Sequence, residues 1–105
     1  MIGGYPIITL CGSTKFKDEF IRVQSELTLE GYIVINVGCF GHSGDKFTAE
    51  QKTMLDDMHK RKIDMADEIM VINPGGYIGE STRSEIEYAL RTEKKVRFYH
   101  KEVAI

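Results

Sequence analysis

Four short apolar runs recur along the chain, PIITLC (6–11), YIVINV (32–37), EIMVIN (68–73) and VRFYH (96–100). They are rich in Val and Ile and do not alternate with polar residues, the pattern of strands covered on both faces. Such strands require helices above and below the sheet, and the stretches between the runs supply them. Phe16, Phe20, Val23 and Leu27 fall at spacings of four, three and four, an apolar stripe that predicts a helix over about 15–30. Gly31 follows where a helix C-cap favours glycine. Thr48 and Gln51 have capping-box spacing, which predicts a second helix over about 48–66 with Leu55, His59, Ile63 and Ala66 on one face. A third helix is expected over about 81–93, with Ile86, Ala89 and Leu90 facing in.

The order is therefore β-α-β-α-β-α-β. Strands that alternate with helices pair in parallel through right-handed crossovers. The expectation is an α/β three-layer sandwich of four or five parallel strands. Its 105 residues suit a single domain over 1–105.

Bulk properties narrow the function classes. With 16 acidic against 14 basic residues and a net charge of −2, the chain offers no basic footprint for a nucleic acid polymer. The apolar runs are far shorter than the roughly 20 residues that span a bilayer, so no membrane partner is expected. No basic, apolar leader opens the sequence, and the two cysteines, Cys11 and Cys39, form no CxxC or Cys/His cluster. A cytoplasmic location with free thiols follows as the expectation.

In parallel α/β sheets, ligands bind outside the carboxyl ends of the strands. Three loops reach that edge: GSTK (12–15), GCFGHSGDKF (38–47) and PGGYIGES (74–81). In the first, Gly12 leaves room for a ligand, while Ser13, Thr14, Lys15 and the first helical amides present an anion-favouring helix N-terminus. The same residues also read as an ordinary N-cap. The GxxxxGK spacing of a nucleoside-triphosphate loop is absent. In the second loop, Phe40 is a candidate stacking face for a nucleobase, with His42, Ser43 and Phe47 nearby, or the two Phe simply anchor the loop. A metal site built from His42, His59 and Asp45 matches no ligand spacing, and no metal or cofactor is expected.

In the third loop, Thr82 and Glu85 have T-x-x-E spacing, which reads as a capping box. The competing reading makes Glu85 a nucleophile, because it shares a face with Ile86 and Ala89, and Gly75, Gly76 and Gly79 leave its approach uncrowded. A carboxylate beside a helix N-terminus would also stay ionised. Arg83, in the first turn, is within reach of a phosphate. In the second helix, His59 stands about 12 Å above Asp67 at ~1.5 Å per residue. His59 therefore lies near the ligand edge, as a candidate to protonate or bind a leaving base or as an inward histidine satisfied by a carbonyl. Asp56 is one turn nearer the site, whereas Asp64 and Asp67 read as structural. The basic cluster Lys94, Lys95 and Arg97 reads as a solvated face.

LCGSTKF (10–16) after the first strand, together with GESTRSEIEYA (79–89) after the third, resembles the nucleoside 2-deoxyribosyltransferase superfamily, which includes the 2′-deoxynucleoside 5′-phosphate N-hydrolases. The likeness spans about 6–99 and implies a flavodoxin-like or Rossmann-like fold. It also implies a nucleoside or nucleotide as the small-molecule partner. By resemblance, Glu85 attacks the sugar C1′, the base departs, and a glycosyl-enzyme ester is resolved by water or a second base, the logic of a retaining glycosidase. Ser81 and Thr82 would orient the sugar. Two positions depart from the family pattern: Gly79 stands where relatives often carry Asp or Ser, and His59 where they tend to carry Asp. The resemblance further implies a homodimer or larger homo-oligomer. A non-catalytic nucleotide-binding or sensing module on the same fold is the alternative.

Overall fold

The computed structural model describes residues 1–41 and 46–101. Four strands and three helices alternate along it: β1 (Ile7–Gly12), α1 (Lys17–Leu29), β2 (Ile33–Ile35), α2 (Ala49–Met65), β3 (Glu68–Ile72), α3 (Glu80–Arg91) and β4 (Lys95–Phe98). Single 3-10 turns at Thr14–Phe16 and Pro74–Gly76 precede α1 and α3. The sheet is wholly parallel with strand order β2-β1-β3-β4. This is the expected α/β sandwich of flavodoxin-like or Rossmann-like form, with four strands.

Strand parity divides the core in two. Ile8, Leu10, Met70 and Ile72 point to one face and pack on Phe20, Val23 and Leu27 of α1. Cys11, Ile69 and Val71 point to the other and meet Ile63 of α2 and Ala89 of α3. Fully burying a side chain of the Val, Leu or Phe kind contributes about 1.5–3 kcal/mol relative to exposure, so both layers are needed to hold so short a chain. The central strands β1 and β3 run for six and five residues, whereas the edge strands β2 and β4 run for three and four. An edge strand has one neighbour, so its ladder stops sooner than its apolar run.

The helix ends follow the expected signals in two places. Gly31 adopts φ +98 and Tyr32 N donates to the Leu27 carbonyl at 3.0 Å, closing α1 with a Schellman-type turn. Thr48 and Gln51 form a reciprocal capping box at the start of α2. One expectation fails: Leu90, expected to face in, is 60 % exposed. Thr82 and Ala89 are the buried positions of α3, and Leu90 sits about 100° further round the helix from Ala89. The small Ala89 lies against the sheet, and the larger neighbour is turned out.

At the far edge, Asp67 accepts from Ile7 N at 2.8 Å, and that backbone donor holds its carboxyl below the usual carboxylate range. Asp64 accepts from Arg61 at 2.9 Å and from the Tyr88 hydroxyl. Both act structurally, as the sequence suggests. Lys94 donates to the Asp64 carbonyl, and Arg97 bonds Tyr32 and Glu68, so this basic cluster is partly tied into the fold.

Candidate functional site

β1 leads into α1 on one face of the sheet and β3 leads into α3 on the other. Where their exits diverge, a cavity of about 390 Å³ opens at the carboxyl edge. Of the residues singled out in the sequence, Gly12, Ser13, Thr14, Lys15, His59, Gly79, Ser81, Thr82 and Glu85 line it, as do Asp56 and Phe47. Its volume falls within the ~300–1,000 Å³ range of small-molecule pockets.

The first loop forms one wall. A Cβ on Gly12 would stand 2.8 Å from the Ile72 carbonyl oxygen and 3.2 Å from the Phe20 ring. The close approach that this glycine permits is therefore to β3, besides leaving the cavity open. Ser13 caps the 3-10 turn, accepting from Lys15 N at 3.4 Å, which is the ordinary capping role. Lys15 Nζ lies 3.7 Å from the centroid of the Tyr77 ring, and Phe16 meets that ring edge-on at 5.8 Å. A cation and two aromatics thus join the first and third loops.

The third loop enters α3 through Gly79, which is the N-cap and makes no side-chain cap bond. The helix starts earlier than the T-x-x-E spacing implies: Thr82 is already its third residue and Glu85 its sixth. The capping-box reading of Glu85 is thereby overturned, because Glu85 lies beyond the first turn, past the free amides that a cap would serve. The residues that carry those amides, Glu80, Ser81 and Thr82, line the cavity.

Glu85 lines the cavity with its side chain only 14 % exposed. Burial pushes its carboxyl up to about 7, opposed by a hydrogen bond from the Cys11 thiol and aggravated by Asp56. The expectation that a helix N-terminus would keep it fully ionised is corrected: the dipole's influence falls off within the first turn, and desolvation dominates.

His59 Nε2 stands 4.0 Å from Glu85 Oε1, 3.0 Å from the Leu10 carbonyl oxygen and 3.5 Å from Cys11 Sγ. A carbonyl only accepts, so Nε2 carries the proton and donates it to Leu10. Burial and the neighbouring Lys62 lower the imidazole to about 4, which leaves it neutral at ordinary pH. His59 is brought to the site, but as the carbonyl-satisfied inward histidine rather than as a ready proton donor to a leaving base.

The outer wall comes from α2 and the chain before it. Asp56 lines the cavity and pairs with Lys52 at 3.8 Å. Lys62 donates to the carbonyls of Asn36 and Val37 at 3.0 and 3.2 Å, tying α2 to the exit of β2. Phe47 also lines the cavity, whereas Phe40 does not. Phe40 instead packs edge-on against the core residue Phe20 at 5.5 Å, so the structure does not bring it to the cavity as a stacking face. Arg83 is exposed and lies outside the lining. The expectations for His42, Ser43 and Asp45 fall outside the described residues.

Sequence reasoning missed Cys11 as a site residue. It is fully buried, and burial followed by the nearby Glu85 carboxylate raises its thiol well above the ordinary value. The available signal was parity: Cys11 ends a strand buried on both faces and shares its side with Thr9, which donates to the Lys62 carbonyl of α2 at 2.9 Å.

No protein-family model matches the chain, and no curated protein matches it. The resemblance noted in the sequence therefore rests on the LCGSTKF and GESTRSEIEYA segments themselves.

Proposed function

We propose that this protein cleaves or transfers the N-glycosidic bond of a nucleoside or its 5′-monophosphate, a deoxyribosyl one, with Glu85 as nucleophile. The observation that carries the reading is the position of Glu85. Glu85 lines a cavity of about 390 Å³ at the carboxyl edge of a parallel sheet, with its side chain largely shielded from water.

In the first step a Glu85 oxygen attacks C1′ as the bond to the base breaks, and the bonding pair leaves with the base. The transition state carries oxocarbenium character, which a neighbouring carboxylate stabilises. The product is a glycosyl ester of Glu85. Water or a second base then attacks C1′ and returns the electron pair to the carboxylate. A partly desolvated carboxylate is the stronger nucleophile once ionised, and at about 7 it is ionised in a substantial fraction of molecules at neutral pH. The amides that open α3, with Ser81 and Thr82, face the same space and suit sugar hydroxyls. Lys15 and the first loop suit a 5′-phosphate. A homo-oligomer that supplies further walls accords with the open side of so small a domain.

One observation favours the second reading, a nucleotide-binding or sensing module without turnover. His59 donates to Leu10 rather than toward the cavity, so the leaving base lacks an obvious acid there. The test is incubation of the purified protein with a panel of deoxynucleosides, ribonucleosides and their 5′-monophosphates, followed by chromatography for free base. Base release that vanishes in Glu85→Gln supports the glycosidase. Tight nucleotide binding with no base released supports the sensor.

A further inference from the structure

Three chemically different donors converge from three elements, and two of them, on His59 and Glu85, line the cavity. Cys11 Sγ of β1, His59 Nε2 of α2 and a Glu85 carboxylate oxygen of α3 all lie within 4.8 Å of one another. Two of the separations are 3.5 Å, sulfur to nitrogen, and 4.0 Å, nitrogen to oxygen. A tetrahedral zinc ion holds thiolate, imidazole and carboxylate ligands at about 2.0–2.3 Å, which places its ligand atoms roughly 3.3–3.8 Å apart. The sulfur–nitrogen separation falls within that range, and the nitrogen–oxygen one exceeds it by roughly 0.2–0.7 Å.

The charge balance points the same way. Among the described residues no Lys or Arg forms an ion pair with Glu85, whose nearest ionisable partner nitrogen is His59 Nε2 at 4.0 Å. Lys60 and Lys52 act on Glu85 only through space, with Lys52 paired to Asp56, and Lys62 is engaged by the Asn36 and Val37 carbonyls. A buried carboxylate beside a buried thiol, with no cation between them, is an arrangement that a metal ion relieves.

We propose that Cys11, His59 and Glu85 form a binding site for a thiophilic divalent cation of the Zn²⁺ type, with its fourth coordination position open to the cavity. The sulfur and nitrogen donors disfavour Mg²⁺ and Ca²⁺, which take oxygen ligands. On binding, the Cys11 thiol releases its proton to solvent and Glu85 releases whatever proton it holds. His59 moves its own proton from Nε2 to Nδ1, giving up the bond to Leu10, so it adds no net proton. Between one and two protons leave per cation and no electrons move. Affinity therefore rises with pH. Where Glu85 is the nucleophile of the proposed function, a bound cation occupies its attacking oxygen and silences base release. That consequence rests on the glycosidase reading; the cation site does not.

The test is titration of the chelator-treated protein with Co²⁺, in a Cys39→Ser background that removes the exposed second thiol, followed by displacement with Zn²⁺. The expected result is saturable binding of a single Co²⁺ with a thiolate-to-cobalt charge-transfer band, weaker at pH 6 than at pH 8 and displaced by Zn²⁺. Adding Cys11→Ser abolishes the band. Glu85→Gln, which keeps side-chain shape, lowers affinity by at least about 10–100-fold, the loss seen even for outer-shell partners. Absence of saturable binding, a band that survives Cys11→Ser, or unchanged affinity in Glu85→Gln overturns the proposal. Base release is assayed separately. With base release assayed on the chelator-treated, metal-free protein, cation binding without base release leaves the site standing and removes the glycosidase, and base release without cation binding does the reverse.

Discussion

Glu85 Oε1 stands 4.0 Å from His59 Nε2, and that same nitrogen donates to the Leu10 carbonyl at 3.0 Å. The imidazole is thus anchored to the central strand and neutral, and it brings no positive charge to the carboxylate beside it. Desolvation then governs Glu85, and the properties of the site follow from a carboxyl poised near neutrality.

The first consequence is a pH profile. A nucleophilic Glu85 must be ionised, and in the free protein its carboxyl titrates at about 7. In metal-free buffer, kcat/KM for base release should rise about tenfold per pH unit from pH 5 toward 7 and level off above it. The measurement is initial rate across pH 5–9. A profile flat from pH 5 to 8 contradicts a buried carboxylate nucleophile.

A second consequence concerns stability. Burial moves Glu85 from 4.5 to about 7, so the native state binds this proton more tightly than the unfolded chain, and stability falls as pH rises between those values. At about 1.4 kcal/mol per pK unit the loss is roughly 3 kcal/mol. His59, lowered from 6.5 to about 4, acts oppositely: stability rises with pH across that window, so the two partly cancel in the wild type. Glu85→Gln removes the first effect alone. Urea unfolding at pH 4 and pH 8 should show the variant's stability, relative to wild type, shifting by about 3 kcal/mol in its favour at the higher pH. A pH-independent difference would mean that Glu85 is solvated. The carboxylate is thus held against stability, the usual sign of a functional group.

Gly12 gives a third test, one of packing rather than charge. A methyl at that position would press to 2.8 Å on the Ile72 carbonyl oxygen, which is backbone and cannot swing aside. Gly12→Ala should destabilise the fold by about 1–3 kcal/mol through forced separation of β1 and β3, measured by chemical denaturation. Wild-type stability would show that the two strands are not so closely joined.

Much of the fold was legible because unalternating Val/Ile runs admit few arrangements. β1 and β3 fall within a residue of the predicted runs, whereas β2 and β4 are shorter because each has one neighbour. Capping signals proved uneven. Thr48 and Gln51 form their box, but the same spacing at Thr82 and Glu85 does not, because Gly79 opens α3 without a side-chain cap. Sequence spacing cannot reveal which residue begins a helix when a glycine turn competes. The residues bordering the cavity on the first and third loops were legible from their place at the carboxyl edge. Cys11 was not, since in a strand buried on both faces every residue looks alike, and no sequence spacing links it to His59, which it meets at 3.5 Å. For Phe40 the sequence leaves a stacking face and a loop anchor both open, and the edge-on contact with Phe20 matches the anchor.

The central claim, that the oxygen of Glu85 forms a bond to the sugar, is tested most directly by trapping that bond. The protein is incubated with a 2-fluoro-substituted deoxynucleoside, whose electron-poor sugar slows hydrolysis of the ester, then quenched in acid and digested for mass spectrometry. The account predicts a single glycosyl adduct on the peptide carrying Glu85, absent from Glu85→Gln. Base release that persists in Glu85→Gln, with no adduct on the wild-type peptide, would contradict it.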